Sequence, residues 1–149
     1  ESVSGPISVD GLQGDLSATT ISGRIRIAKL VGKKASVSAT SGTVEGAGEL
    51  KELVIKSVSG GASFDLTPKG EGWTAQVSCI SGDVLLRFPE KAGAKIELKT
   101  VSGDLGSDFE LKDVQTGSRG SRLSGAFGDG AGKVTATTVS GGVRIARLK

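Results

Sequence analysis

Thr100-Val101-Ser102-Gly103-Asp104-Leu105 is the stretch that decides how this chain is read. The segment leading into it, Ala94-Lys95-Ile96-Glu97-Leu98-Lys99-Thr100, places apolar or small residues at every second position, the period of a half-buried strand. Val101, Gly103 and Leu105 have the opposite parity to Ile96, Leu98 and Thr100. One core can receive both sets only if the chain turns between Thr100 and Ser102. Glycine lacks the Cβ that would obstruct such a corner, and serine can bond the backbone locally. Ser-Gly is therefore expected to be a corner.

Working outward, the dipeptide recurs at Ser4, Ser22, Ser41, Ser59, Ser81, Ser102, Ser124 and Ser140, at intervals of 18, 19, 18, 22, 21, 22 and 16 residues. A self-similar period near 20 residues marks a repeat protein whose units stack on their neighbours. Strand-like alternation precedes the corner, as in Leu53-Val54-Ile55-Lys56-Ser57, and a second short strand follows it, as in Ile25-Arg26-Ile27. No window carries helical spacing with helix formers and caps. The expected fold is all-β: one domain over residues 1–149, a parallel β-helix or β-solenoid of about seven or eight coils, right-handed, with one Ser-Gly corner per coil. Stacked at ~4.8 Å, the coils would form a rod roughly 35 Å long.

Aligning the coils on the corner gives two apolar columns. The residue before serine reads Val3, Ile21, Thr40, Val58, Ile80, Val101, Leu123, Val139. The second residue after glycine reads Ile7, Ile25, Val44, Ala62, Val84, Leu105, Phe127, Val143. Both columns are expected to face the core, with the residue between them free to vary. An antiparallel sandwich would want Asn-Gly or Asp-Gly hairpins, which are missing. The period breaks at Thr67-Pro68-Lys69-Gly70-Glu71-Gly72-Trp73 and again over residues 106–120, where one short strand near 109–111 and a surface loop are expected.

Composition narrows the function. The chain has no His, Tyr or Met, and without histidine it lacks the commonest general base and metal ligand. A lone Cys79 forbids an intrachain disulfide. A net charge of +3 from 19 basic and 16 acidic residues, interspersed, gives no basic stripe with stacking aromatics, so nucleic acid is not expected. No run reaches the ~18 apolar residues of a membrane span. The chain begins at Glu1, so it reads as trimmed or processed, with any anchor or export signal expected outside it.

Ile80-Ser81-Gly82-Asp83-Val84, Thr100–Leu105 and residues 133–148 resemble the bacterial "putative adhesin" repeat domain, with its iterated T-V-S-G-D-[IVL] motifs. The resemblance covers essentially the whole chain. It implies a β-helix-like scaffold and an envelope-associated binding or scaffold role, and it supplies no catalytic residues.

Candidate sites are few. Asp83 and Asp104 share the column after glycine, one coil apart, and could begin a Ca²⁺ ladder, but the coils on either side offer Gly61 and Ala126, and solvated turn aspartates are the plainer reading. Gly128-Asp129-Gly130-Ala131-Gly132-Lys133 lacks the spacing of a phosphate loop and reads as a turn. Trp73 could stack on a ligand ring or cover the core. Cys79 sits in a small, semi-buried column with Thr20, Ser57, Thr100 and Thr138. Arg119, Arg122, Arg144 and Arg147, with Lys133 and Lys149, bias the C-terminal third toward positive charge and could meet an anionic envelope polymer.

The first functional expectation is thus a non-enzymatic adhesion, scaffold or ligand-sensing domain of the cell envelope, outside the cytoplasm, working through its outward surface on an envelope polymer or protein. No cofactor is expected. A self-assembling protein stacking end to end through uncapped coils is the alternative, with Arg144, Arg147 and Lys149 as possible edge guards. A polysaccharide lyase comes last.

Overall fold

The strand that leads into Ser102 does not break at Thr100; it runs from Ala94 through Ser102. The computed structural model describes residues 2–68, 72–89, 92–108, 112–116, 121–128 and 131–147. Its strands form two sheets. The first has nine strands in the order β1 (Ser2–Ser4), β3 (Leu16–Ser22), β5 (Lys34–Ser41), β7 (Glu52–Ser59), β9 (Thr74–Ser81), β15 (Gly132–Ser140), β11 (Ala94–Ser102), β14 (Ser121–Phe127), β13 (Lys112–Thr116). The second has seven, in the order β12 (Leu105–Ser107), β16 (Val143–Arg147), β10 (Val84–Phe88), β8 (Ala62–Pro68), β6 (Val44–Leu50), β4 (Ile25–Val31), β2 (Ile7–Asp10). The all-β expectation holds: no helix occurs among the described residues.

Seven Ser-Gly pairs each pass the chain from the first sheet to the second, at serines 4, 22, 41, 59, 81, 102 and 140. Their glycines all have positive φ, and they stand one above another. A Cβ built on Gly60 would overlap the carbonyl of Gly42, and one on Gly42 the carbonyl of Gly23. The corner therefore needs glycine twice, for its backbone conformation and for the close approach of the neighbouring turn. Beside it runs the small column foreseen in the sequence. Thr100 Oγ1 donates to the Gly141 carbonyl at 3.3 Å, and Cys79 Sγ reaches the Gly60 carbonyl at 3.5 Å.

Between the sheets lies the core. Ile55, Leu53, Ile96 and Leu98 project from the first sheet, and Ile25, Val44, Phe64, Leu86 and Ile145 from the second, all buried. Gly46 is part of this packing, since a Cβ there would enter the ring of Phe64. The column two residues after glycine is buried as expected at Ile25, Val44, Ala62, Val84 and Val143.

Four expectations are corrected. The residue before serine faces solvent: Val3 and Val101 are 71% exposed, and Ile21, Val58, Ile80 and Val139 are also exposed. Strict alternation carries Thr100 inward and Val101 outward, and the parity changes at Gly103, two residues beyond the turn expected at Val101. Second, coils do not stack in chain order. β15 lies between β9 and β11, and β16 between β10 and β12, both parallel to their neighbours. The C-terminal strand is therefore interior, and Arg144 and Arg147 guard no edge. Third, Asp83 and Asp104 are not in adjacent coils, because Gly142 stands between them. Fourth, Ser124-Gly125 is not a corner. It lies inside β14, which runs antiparallel to β11 with Leu98 opposite Leu123. The short strand expected near 109–111 lies outside the described residues.

β4 carries one irregularity. Ile27 aligns with Gly46 and Leu30 with Gly48, so Ala28 and Lys29 together oppose Ala47 alone. Lys29 takes φ 51° in this bulge, the left-handed region that costs a side-chain residue about 1–2 kcal/mol. Lys29→Gly should stabilise the domain by about 1 kcal/mol, read as a higher urea midpoint at unchanged slope.

Candidate interaction surface

Outward residues on the first sheet come from the same alternation that fills the core. On β11 these are Lys95, Glu97, Lys99 and Val101. The register of each strand pair aligns the residues before serine in one row: Val3, Ile21, Thr40, Val58, Ile80, Val139, Val101. Every member is β-branched, and every member is exposed. At ~4.8 Å per rung the row extends about 29 Å beside the glycine corners. The serines after it are exposed as well, so an apolar ridge runs next to a line of hydroxyls.

Nothing in the core requires that ridge. Val, Ile and Thr favour strands on either face, but single exposed apolar residues are ordinary while six in one seven-rung row, interrupted only by Thr40, are not. β-Branched side chains are also stiff at χ1, so the ridge presents fixed methyl groups. Sequence reasoning missed it by placing the turn before serine. The signal was available, for the period-2 pattern Ile96, Leu98, Thr100 meets no glycine before position 103.

The residues singled out earlier fall in separate places. Trp73 is 2% exposed, its indole over the backbone of Gly132 and 5.3 Å from the Phe88 ring. It is a core residue and offers no face to a ligand. Cys79 is buried, and burial pushes its thiol pKa upward, which suits an inert thiol. Asp83 Oδ1 accepts from the Gly142 N–H at 2.9 Å, so this carboxylate steadies the neighbouring corner. Asp104 stands two rungs away, roughly 10 Å on that spacing. Asp108 pairs with Arg144 at 3.4 Å across a shallow groove of about 550 Å³ that also includes Asp83 and Asp104. No group of three or more His, Cys, Asp or Glu gathers among the described residues.

Arg122 projects from β14 and binds Glu97 Oε1 at 2.7 Å. Glu97 also meets Lys99 Nζ at 3.0 Å, and the Lys99 hydrogen bond, with both neighbouring positive charges, holds its carboxyl below the usual range. Arg147 lies at the end of β16, and Arg119 lies outside the described residues.

A family model matches residues 1–146. The chain belongs to the Toastrack DUF4097 family. The matched span contains all seven Ser-Gly corners and, save Arg147 at the end of β16, both sheets of this Toastrack domain. A similar solved structure is the crystal structure of a "putative cell adhesion protein" from Clostridium sporogenes ATCC 15579, with a TM-score of 0.55 over 99% of this chain and 93% of that one. At 12% identity the likeness is one of fold. No curated protein sequence matches the domain. No helix among the described residues is long and apolar enough to cross a membrane.

Proposed function

We propose that this Toastrack domain is a non-enzymatic module of the bacterial cell envelope, acting outside the cytoplasm in adhesion, scaffolding or ligand sensing. We read its two sheets, parallel except at β14 and β13, as the walls of a solenoid of seven coils, wound with the right hand that parallel crossovers favour. The observation that carries the proposal is the exposed β-branched row from Val3 to Val101. A stiff apolar ridge on a rigid sheet can bind without losing side-chain freedom, and it needs no cleft. The absence of histidine and the burial of Cys79 are in keeping with a surface that binds and does not turn over a substrate. The neighbouring fold named for cell adhesion supports the same direction. End-to-end filament growth finds less support, because β13 and β14 close one end of the first sheet with antiparallel pairing.

The test keeps the fold and exchanges one apolar branch of each side chain for a hydroxyl. Val58→Thr, Ile80→Thr and Val139→Thr, combined, retain β-branching at three consecutive interior rungs. Exposed substitutions of this kind should each move stability by less than about 0.5 kcal/mol. Co-sedimentation with isolated bacterial cell envelopes should weaken at least tenfold, equivalent to about 1.4 kcal/mol. Equal retention of wild type and triple variant, or no retention of the wild type, would sink the proposal.

A further inference from the structure

We infer that the outer face of β11, β14 and β15 binds a linear phosphodiester polymer whose repeat carries hydroxyl groups, such as a polyol phosphate. This deepens the envelope reading by naming a ligand class, at a place separate from the apolar ridge. The register assembles the site from segments distant in sequence. Lys95 stands opposite Lys133 on one side and Ala126 on the other. Two residues along β11, Glu97 lies between Thr135 and Ser124, and Lys99 follows between Thr137 and Arg122. Ala126, with a single methyl, leaves room beside Lys95, and a depression of about 520 Å³ opens there, reaching Glu97, Arg122 and Ser124.

Charge distinguishes this patch from the rest of the sheets. Three cations elsewhere on the sheets meet a carboxylate on the next strand, Arg26 with Glu45, Lys34 with Glu52, and Arg87 with Asp65, while Lys56 stands alone between Ser38 and Ser78. Lys95 and Lys133 instead face each other, exposed and without a carboxylate partner among the described residues. Directly opposed like charges destabilise a sheet. Lys95, Lys133, Lys99 and Arg122 gather around Glu97, a local excess equal to the whole chain's net charge of +3, while Glu52, two strands beyond Lys133, is paired with Lys34. An anion bridging Lys95 and Lys133 relieves the repulsion and gains two charge-assisted contacts.

The shape selects a polymer. Lys95 and Lys99 lie four residues apart on one strand, about 13 Å, while Lys95 and Lys133 are one strand spacing apart, ~4.8 Å. That is a narrow track with cations at both ends, the outline of a chain and not of a membrane plane. Between the ends stands Glu97, whose Oε1 meets Arg122 and Lys99, which leaves Oε2 to accept from hydroxyls between two phosphates. Trp73, Phe88 and Phe127 are buried, so among the described residues no aromatic face is available to stack a nucleic-acid base.

The experiment is titration with a synthetic glycerol-phosphate oligomer over a range of salt. Wild type should bind with affinity that falls steeply with salt. Lys95→Gln combined with Lys133→Gln should weaken binding at least about tenfold and flatten the log–log salt slope by roughly 1–2. Lys56→Gln, on the same face but remote, should change neither. The ridge triple variant should keep the affinity, so that failure of the ridge and failure of this site are separable. An unchanged isotherm in the double lysine variant, or an equal loss in Lys56→Gln, overturns the assignment. So does single-stranded DNA of equal charge binding as tightly, or binding confined to phosphatidylglycerol vesicles. The double variant should melt at or above the wild-type temperature. A clearly lower melting point would mean that the lysines serve the fold, and would also overturn the assignment.

Discussion

Gly60→Ala should destabilise the domain by about 4 kcal/mol or more, close to the whole stability of many domains. Gly60 takes φ 129°, and its missing Cβ is replaced in space by the Gly42 carbonyl of the adjacent turn. That obstacle is backbone, so no flexible side chain can yield. Moving it disturbs the Gly42 contact with Gly23 on one side and the Gly82 contact with Gly60 on the other. Gly5→Ala separates the two causes. Gly5 has φ 126°, but the nearest atom to its added Cβ is Ser2 Oγ at 3.9 Å. It should lose only the conformational strain, about 1–2 kcal/mol. Urea unfolding of both variants measures the difference. Equal losses would show that stacking plays no part in the choice of glycine.

Phe88→Ala should cost about 3–5 kcal/mol and shift Trp73 emission to longer wavelength. The Phe88 ring is fully buried between Trp73, at 5.3 Å and 37°, and Phe127, at 6.3 Å and 44°. These three come from separate segments: the residue before β9, the end of β10, and the end of β14. Truncation opens a cavity among them that neighbouring strands, pinned by their hydrogen bonds, cannot close. Solvent then approaches the only indole in the chain. A variant with the wild-type emission maximum would show that the cluster is not packed as described.

Much of this fold was legible because stacking repeats itself in sequence. The glycine corners, the buried column after them and the strand class follow from spacing and parity. Parity also produced the main error, since Val101 and Leu105 share it and were assigned to one core. The chain enters its positive-φ turn at Gly103, and only Leu105 lies beyond. The order of coils was not legible. β10 and β12 present similar edges to β16, and nothing local in Val84-Leu85-Leu86 or Leu105-Gly106-Ser107 says that Val143-Arg144-Ile145 belongs between them. The patch around Lys95 and Lys133 depends on that insertion. The basic bias of the C-terminal third was visible, but not that Lys95, far earlier in the chain, joins it.

Placing the last strands in the middle of both sheets has a consequence for how the molecule is made. A solenoid stacked in chain order can grow coil by coil behind the ribosome. Here β11 and β12 are synthesised early but have no parallel neighbour until β15 and β16 arrive. Until then the exposed edges of β9 and β11 have the same direction and similar apolar alternation, and they can find each other in the wrong arrangement. Long-range pairing of this kind slows folding and exposes unpaired edges to aggregation. The domain is completed from its most recently translated residues, so correct assembly is a late event that depends on keeping two earlier segments apart.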